Sequence, residues 1–380
     1  MINIELMNEF ESFYGHKAQI TAYAPGRVNL IGDHTDYNQG FVLPAAINFG
    51  TWIVCTKRAD KQVNVIAKDF NHKKVSFNLE QIDYSEQASW SNYVRGSLLA
   101  ILDRYPDIQG ADILVSGNLP QGAGLSSSAS FEIAIIKAFT DLYQLAIKGI
   151  DAAKMGQWAE NHFVGCKCGI MDQLISALGT KGQAMLLDCS NLEYSYANIP
   201  EDLAIVIVNS NVKRGLVNSE YNTRRQQCES AASFFGKRSL REVDLTELEA
   251  AKSKMDPVIY RRARHVLSES ERTIRAMTAL NEQDIVSLSR LMAESHRSLK
   301  EDFEVTTPEL DVLVDIVSNV LKDKGGARMT GGGFGGCVVA LVPQAKVDLL
   351  RQTVQVQYPM KTGLTPDIYV CTAEQGAFNQ

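Results

Sequence analysis

The most informative stretch of this 380-residue chain is Gly122-Ala-Gly-Leu-Ser-Ser-Ser-Ala-Ser130, which leads from a glycine-rich turn into an apolar run. The apolar run, residues 131–139, is typical of a buried helix. Glycine lets the main chain approach a ligand closely, and the unpaired N–H groups and the dipole of a helix start favour an anion. The stretch therefore predicts a phosphate-binding loop. A serine-capped helix after a glycine turn is the structural alternative.

Two further blocks are unusually dense in polar groups or in glycine. The first is Ala24-Pro-Gly-Arg-Val-Asn-Leu-Ile-Gly-Asp-His-Thr-Asp-Tyr-Asn38, which places an arginine, two carboxylates, a histidine and two amides between strand-like runs. The second is Gly325-Gly-Ala-Arg-Met-Thr-Gly-Gly-Gly-Phe-Gly-Gly336, with seven glycines in twelve residues. It runs directly into residues 337–342, a buried-strand pattern, so a tight ordered loop is favoured over a flexible linker.

Taken in this order, the three blocks resemble the signature motifs of the GHMP small-molecule kinases, and the first block narrows the resemblance to the galactokinases. The segment Cys168-Gly-Ile-Met-Asp-Gln173 resembles the catalytic segment of that family, and related spacing extends to residues 218–225. The resemblance therefore spans essentially the whole chain. It implies an α+β fold with a ribosomal-protein-S5-like amino domain, a ferredoxin-like carboxy domain and an active site between them.

The activity implied is transfer of the γ-phosphoryl group of ATP to the anomeric hydroxyl of galactose, the first step of the Leloir pathway. By resemblance, Asp172 acts as the base and Arg27 stabilises charge on the moving phosphoryl group. Removal of the hydroxyl proton and orientation of the hydroxyl are both open roles for Asp172. The structural alternatives are a helix-start carboxylate for Asp172 and a surface ion pair for Arg27.

Sugar binding is implied for residues of the first block and for two later positions. These are Asp33, His34, Thr35, Asp36, Gly169 and Tyr221. Carboxylates and an imidazole suit a polyol because they exchange hydrogen bonds with hydroxyls in fixed directions. Asp33 departs from the family pattern, which usually has Glu at this position. Because Asp is one methylene shorter, we expect weaker sugar binding with the same chemistry.

ATP and Mg²⁺ are the implied cofactors. The implied nucleotide contacts are Gly122, Ala123, Gly124, Leu125, Ser126, Ser127, Ser128 and Trp90, with Tyr93 as a weaker candidate beside the adenine. Ser128 and Glu160 are the implied Mg²⁺ partners, since Mg²⁺ prefers oxygen ligands. The alternatives are core packing for the aromatic residues and an exposed helix position for Glu160. The loop 331–336 is expected to close over the site without supplying a side chain.

Length and composition agree with an enzyme of this kind. A chain of 380 residues exceeds what one core usually organises, so we expect two domains, at 1–195 and 196–380. The last strand of the second domain could pack back toward the first domain. With 38 basic and 44 acidic side chains the net charge is −6, which does not favour nucleic acid or an anionic membrane as a partner. A small sugar is the expected partner, and the chain is expected to be a monomer.

The sequence contains no targeting or membrane signal. Residues 1–11 are acidic and polar, and no apolar run approaches the ~20 residues of a membrane helix. The seven cysteines are scattered, which suits reduced thiols and a cytoplasmic location. Cys166 and Cys168 are interpreted as structural, because no second ligand pair with zinc spacing accompanies them.

Other functional classes fit the motifs less well. A Walker-type NTPase would need Gly-x-x-x-x-Gly-Lys-Ser/Thr, and a dinucleotide oxidoreductase would need Gly-x-Gly-x-x-Gly; the loop at Gly122 has neither order. A non-catalytic sugar and ATP sensor on the same fold is the main rival, although such proteins are altered in the serine loop, which is intact here. A kinase for another sugar, such as N-acetylgalactosamine, stays open because of Asp33.

Hydrophobic periodicity adds a coarse map of elements. It predicts strands near residues 19–23, 41–43, 51–56, 63–67, 111–116 and 203–209 and helices near 4–14, 90–102, 126–143, 151–163, 170–178, 218–235, 258–280 and 284–300.

Overall fold

A computed structural model of the chain describes residues 2–120, 124–212 and 217–379. The helices are α1 (Ile2–Tyr14), α2 (Asn92–Leu102), α3 (Ser127–Tyr143), α4 (Gly149–Trp158), α5 (Met171–Leu178), α6 (Val217–Phe234), α7 (Leu245–Ala251), α8 (Pro257–Asn281), α9 (Ile285–Glu301), α10 (Pro308–Leu321) and α11 (Val347–Thr362). The strands are β1 (Ile20–Asn29), β2 (Phe41–Val42), β3 (Pro44–Lys57), β4 (Gln62–Ala67), β5 (Lys73–Asn78), β6 (Ala111–Gly117), β7 (Gln183–Asp188), β8 (Tyr194–Asn198), β9 (Leu203–Asn209), β10 (Gly326–Thr330), β11 (Cys337–Pro343) and β12 (Asp367–Cys371).

The amino-terminal half is built on a five-stranded sheet with the order β1-β3-β6-β4-β5. Its strands pair antiparallel except for β4 and β6, which are parallel. Because side chains alternate between the two faces of a strand, β6 contributes to two separate apolar clusters. Ile113 and Val115 join the large core with α2 to α5, whereas Leu114 packs with Leu6 and Phe10 of α1.

The carboxy-terminal half contains an antiparallel four-stranded sheet with the order β10-β11-β9-β12. The inner strand β9 is buried along its whole length, as the apolar run of residues 203–208 predicts. Val206 and Val208 face the core formed with α6 to α8, α10 and α11. Ile205 and Ile207 face the opposite way, into a cluster shared with the amino-terminal half.

That shared cluster joins the two halves over a broad area. It brings Val28, Leu30 and Leu43 of the amino-terminal half against β9, β11, α8 and α9. A small sheet, β2-β7-β8, lies beside it. The predicted boundary between residues 195 and 196 falls within β8, and the division of the chain at that point stays a prediction.

Two local predictions need correction. The block 325–336 is not one loop, because its first half is strand β10, paired with β11 from Gly326 to Thr330. The helix predicted over 151–163 ends as α4 at Trp158 and continues as a wider π-helical turn, Ala159–Val164, which carries Glu160. In the described part of the chain, no helix combines the length and apolar character needed to cross a membrane.

Candidate active site

Arg27 is placed by an irregularity in β1. The register between β1 and β3 shifts between Pro25 and Arg27, and the Arg27 backbone N–H donates to the Leu125 carbonyl at 3.2 Å. A bulge of this kind re-aims a side chain out of the regular alternation of the strand. The Arg27 side chain is only 8% exposed, so the surface ion pair considered from the sequence is wrong.

Asp172 lies in the first turn of α5 and is held by Arg27. The guanidinium donates from Nε to Oδ1 at 2.8 Å and from Nη2 to Oδ2 at 2.9 Å, which is a bidentate pair. The remaining nitrogen, Nη1, donates to the Gly124 carbonyl at 2.6 Å. One planar side chain therefore ties β1, the serine loop and α5 together, a geometry that a lysine cannot reproduce.

Ser126 joins this pair, which the sequence did not predict. Its backbone is left-handed, with φ 57°, and its side chain makes no capping hydrogen bond to the start of α3. Its hydroxyl instead donates to Oδ2 of Asp172. The serine-capped helix is therefore wrong, and the first N–H groups of α3 stay without a side-chain cap, as an anion site requires.

A cavity of about 210 Å³ opens beside Asp172 and Arg27. Its described lining includes five of the six predicted sugar-binding residues, namely Asp33, His34, Asp36, Gly169 and Tyr221, together with Glu160, Gly331 and Gly332. These residues come from the segment after β1, the π-helical turn after α4, the turn before α5, the start of α6 and the glycine loop after β10. The fold thus brings residues from distant parts of the sequence, between Arg27 and Gly332, around one small cavity.

Thr35 is placed differently from the other five. It is fully buried, and its hydroxyl lies 2.7 Å from the carbonyl oxygens of both Gly32 and Phe41. Those contacts brace the loop that carries Asp33 and Asp36. Thr35 is buried away from the described lining of the cavity, so its place in the fold is that of a loop support.

His34 is a buried imidazole in a left-handed backbone position, with φ 64°. Its Nδ1 lies 2.9 Å from the Tyr37 hydroxyl, and its ring packs 4.6 Å from the ring of Phe303. Burial lowers the pKa of His34 to about 3, so the ring is neutral at neutral pH. Nε2 makes no well-aligned hydrogen bond with the described residues, although the Gly332 backbone interacts with the ring and opposes the lowering of its pKa.

Asp36 and Gly169 are in direct contact. A methyl group at position 169 would lie 2.0 Å from Asp36 Oδ2, so the absence of a side chain at Gly169 gives the carboxylate its place. Burial and the negative charge of Asp172 raise the pKa of Asp36 to about 6. The Asp36 carboxylate therefore takes up a proton at a higher pH than an isolated aspartate does.

Asp33 is 3% exposed and is already engaged by the protein. Its Oδ1 accepts from Asn29 Nδ2 at 3.0 Å, and its Oδ2 accepts from Arg328 Nη2 at 2.5 Å and from the Gly331 backbone N–H at 3.3 Å. Burial raises the pKa of Asp33, and the Arg328 charge opposes that shift. A residue interpreted from the sequence as a sugar contact is thus also the acceptor for a buried arginine.

A second cavity, of about 340 Å³, lies on the other side of the serine loop. Ser127 and Ser128 form one wall, and the aromatic rings of Trp90, Tyr93 and Phe131 form another. Trp90 stacks on Phe70 with the ring planes 7° apart. The cavity combines apolar flat surfaces with the uncapped start of α3, so it can hold a planar base attached to phosphates.

Glu160 and Ser128 connect the two cavities. Glu160 lines the smaller cavity, Ser128 lines the larger one, and their side chains are hydrogen-bonded to each other. Gln173 Nε2 donates to Glu160 at 2.6 Å, and burial raises the Glu160 pKa. Gly124, Leu125 and Ser126 to Ser128 lie where the loop was predicted, whereas Gly122 and Ala123 lie outside the described residues.

Comparison with known proteins identifies the family of this chain. Residues 8–57 match the galactokinase galactose-binding signature, residues 92–180 the GHMP kinase N-terminal domain and residues 276–359 the GHMP kinase C-terminal domain. The structure superposes on that of Lactococcus lactis galactokinase complexed with galactose with a TM-score of 0.94, at 34% identity and with 100% of both chains covered. The chain belongs to the galactokinase family. It is an ATP-dependent sugar kinase with the two-domain GHMP fold, which confirms the fold and the reaction class that the motifs implied.

Solved structures of other kinases share the fold. Methanococcus jannaschii mevalonate kinase superposes with a TM-score of 0.65 at 21% identity, over 94% of this chain and 98% of that one. Homoserine kinase from Cytophaga hutchinsonii gives a TM-score of 0.61 at 16% identity, over 94% and 96%. At these identities the likeness concerns the fold alone.

Two buried polar residues beside this site, Glu132 and Arg328, were not predicted from the sequence. Glu132 is fully buried, one helical turn beyond Ser128, and accepts from Gln173 at 3.1 Å. The signal for Glu132 was a lone carboxylate within the otherwise apolar residues 131–136. Arg328 lies inside the glycine-rich block 325–336 and is the one charged residue there, which was the available signal.

Proposed function

We propose that this kinase transfers the γ-phosphoryl group of ATP to the anomeric hydroxyl of D-galactose, giving galactose 1-phosphate and ADP. The observation that carries the proposal is the bidentate pair of Arg27 and Asp172, which lies between a small polar cavity and the serine loop. Phosphoryl transfer depends mainly on positioning and on charge stabilisation. Arg27, Asp172 and the serine loop together can meet both requirements.

Asp172 would receive the sugar hydroxyl. Its carboxylate lines the cavity and is held by hydrogen bonds from Arg27 and Ser126, so its orientation is fixed before a sugar arrives. In that position it can accept the hydroxyl proton or align the oxygen for attack. Arg27 would add a fixed positive charge where negative charge develops on the phosphoryl group.

Galactose recognition would rest on Asp33, His34, Asp36, Gly169 and Tyr221, the predicted residues that line the cavity. Two carboxylates, an imidazole and a phenol offer acceptors and donors at fixed positions. A sugar with one hydroxyl inverted would leave such buried groups unpaired, which carries a large penalty. The presence of galactose in the related Lactococcus lactis structure supports this assignment.

The larger cavity would hold the nucleotide. Trp90 and Tyr93 offer flat surfaces to the adenine, and Gly124, Leu125 and Ser126 to Ser128 offer a loop and a helix start to the phosphates. Gly122 and Ala123 keep their predicted role as phosphate contacts. Thr35 is retained as a substrate-side residue only through the loop that it braces.

Mg²⁺ fits the donors that lie between the two cavities. Ser128 supplies a hydroxyl and Glu160 a carboxylate, and the Ser128 side chain lowers the pKa of Glu160 against the effect of burial. Mg²⁺ commonly binds one or two protein oxygens together with waters and substrate phosphates. When bound, the ion would neutralise phosphate charge, while Gln173 keeps Glu160 in place.

We further propose a monomeric cytoplasmic enzyme whose partner is the sugar. The net charge of −6 supports this, since it favours neither nucleic acid nor an anionic membrane. The described cysteines form no disulfide, which suits a reducing compartment.

A coupled ADP-release assay with Mg²⁺-ATP tests the proposal. The sugars are galactose, glucose, N-acetylgalactosamine and arabinose, and the variant is Asp172→Asn. We expect galactose-dependent turnover that falls by about 1,000-fold or more in the variant, with galactose binding retained. The matched control is Asp151→Asn, another helix-start aspartate paired with an arginine, which should keep wild-type turnover.

Other outcomes would change the assignment in defined ways. Sugar binding without turnover would indicate a sensor, and preference for N-acetylgalactosamine would keep the mechanism and replace the substrate. An Asp33→Glu variant belongs in the same panel, because we expect the longer carboxylate to lower the galactose KM with little change in kcat.

A further inference from the structure

A buried ion-pair network lies behind the proposed sugar cavity, with Arg328 of β10 at its centre. The Arg328 side chain has 0% exposure. Its Nη2 donates to Asp33 at 2.5 Å, its Nη1 lies 3.2 Å from the Asn29 carbonyl and 3.3 Å from the Leu30 carbonyl, and its Nε donates to the Ser295 hydroxyl at 3.0 Å. All three guanidinium nitrogens are therefore engaged within the protein.

Glu269 of α8 forms the outer part of this network. Its Oε1 accepts from the Ser295 hydroxyl at 2.5 Å and from the Gly32 backbone N–H at 3.0 Å, and its Oε2 accepts from Arg272 Nε at 2.8 Å. Burial alone would raise the pKa of Glu269, but the charges of Arg272 and Arg328 outweigh it and lower the pKa to about 2. The carboxylate is thus ionised and lies 4.0 Å from Arg328.

The Asp33 carboxylate has acceptor capacity that the protein does not use. An ionised carboxylate offers about four acceptor sites, two on each oxygen. Oδ2 is occupied by Arg328 and Gly331, whereas Oδ1 accepts one bond, from Asn29. One acceptor site of Oδ1 is therefore left, on a residue that lines the cavity.

We propose that Arg328 is a positioning residue for sugar binding, which fixes the Asp33 carboxylate so that its remaining acceptor site meets a sugar hydroxyl. The inference rests on the proposed function, since it requires a sugar in this cavity. Arg328 acts through Asp33, because its own nitrogens are occupied by the protein. A planar guanidinium suits the task, since it can bind a carboxylate and two carbonyl oxygens at once.

A purely structural role for Arg328 makes a different prediction. The arginine also joins β10 of the carboxy-terminal half to the end of β1, so its loss could simply loosen the contact between the halves. Loosening would impair the nucleotide and the sugar together. Loss of positioning would impair the sugar alone, and only while Asp33 is present.

The test is a double-mutant cycle with the full-length protein. Galactose binding is measured by calorimetry without nucleotide, the KM values for galactose and ATP by steady-state kinetics, and Tm by thermal unfolding. The variants are Arg328→Met, Asp33→Asn and the two combined. We expect Arg328→Met to weaken galactose binding by about 10-fold or more and to change the ATP KM by less than about twofold.

The second background decides between positioning and structure. In Asp33→Asn, adding Arg328→Met should weaken galactose binding by less than about threefold. The control is Arg272→Met, which removes another arginine from Glu269 without a hydrogen bond to Asp33 and should leave galactose affinity within about threefold of wild type. Equal losses in both backgrounds, or parallel losses for galactose and ATP, would overturn the inference.

Two further arms keep the result decisive. If Arg328→Met does not fold, Arg328→Lys takes its place in the cycle; it keeps the charge but loses the fork, and the same coupling to Asp33 is expected. If the unaltered protein neither binds nor phosphorylates galactose, the proposed function fails and the inference fails with it. If the unaltered protein binds galactose and the Arg328 variants bind it equally well, only the inference fails.

Discussion

Arg27 combines three hydrogen bonds that require a planar fork, two to Asp172 and one to the Gly124 carbonyl. Arg27→Lys keeps the charge but can satisfy only part of this geometry. We expect kcat/KM to fall by roughly 100-fold, which is typical when one preorganised charge-stabilising group is lost. Steady-state kinetics measures the effect, with Arg95→Lys as the control, because Arg95 is a buried arginine that lines neither cavity. Near wild-type turnover would contradict the role of Arg27.

Asp36 gives the sugar site a predicted pH dependence. Its pKa, raised from 3.8 to about 6, means that the carboxylate becomes protonated as the pH falls through about 6. A protonated Asp36 loses acceptor capacity, so kcat/KM for galactose should fall about tenfold per pH unit below that value. The pH profile of kcat/KM measures this step, and Asp36→Asn should abolish it even though its activity is low.

The same titration acts on stability with the opposite sign. Because the folded-state pKa of Asp36 lies above its ordinary value, its protonation contributes stability that is fully present below about 3.8 and is lost as the pH rises through about 6. Above that pH the ionised carboxylate is kept at a cost to the folded state. A kcat/KM profile for galactose that stays flat down to pH 5 would show that Asp36 does not take part in sugar binding.

The turn between the π-helical segment and α5 depends on a residue without a side chain. In Gly169→Ala the new methyl group would lie 2.0 Å from Asp36 Oδ2 and would push the carboxylate away. We expect the galactose KM to rise by about 10-fold or more and the ATP KM to stay unchanged. The matched control is Gly332→Ala in the same cavity, where the methyl group would lie 3.5 Å from the Tyr221 ring and should be tolerated. Equal effects of the two substitutions would refute this account.

The start of α3 illustrates how one element serves two sites. Ser126 turns its hydroxyl toward Asp172, while Ser127 and Ser128 line the larger cavity. The helix itself is anchored by Ile133, Ile135 and other residues in the main core. A rigid apolar helix thus holds the uncapped N–H groups in place, which is what preorganised phosphate binding requires.

The segment after β12 ties the two halves together. The backbone N–H groups of Gly376, Ala377 and Phe378 donate to carbonyls at the end of α5, at 2.8 to 3.0 Å. Because α5 carries Asp172 at its other end, this segment supports the active site from a distance. A side chain at Gly376 would begin 2.5 Å from the Gly179 backbone nitrogen.

Gly376→Val should therefore displace this segment from α5. We expect Tm to fall by roughly 5 °C, with a smaller loss of kcat, because the new side chain would weaken the backbone hydrogen bonds between this segment and α5. Thermal unfolding measures the shift, and Thr372→Val places the same new side chain at a nearby exposed position as the control. An unchanged Tm would show that the segment contributes little to stability.

Much of this protein can be predicted from local patterns. The strand predicted over residues 203–209, six of them apolar in succession, agrees with the observed ends of β9, and the helical period of residues 258–280 predicts most of α8. The family and the reaction class followed from three motifs whose residues serve a shared chemistry. Such signals are readable because each depends on neighbours within one strand, helix or loop.

What the tertiary structure alone decided is which of those groups meet. The hydroxyl of Ser126 is directed at Asp172 rather than at its own helix, Thr35 is turned into its loop, and Arg328 lies against Asp33, 295 residues away in the chain. The sequence shows which side chains can donate or accept hydrogen bonds. Which groups they bond to is set by the packing of the two halves around a shared apolar cluster. The motifs therefore determined the chemistry, and long-range packing determined the geometry in which that chemistry is held.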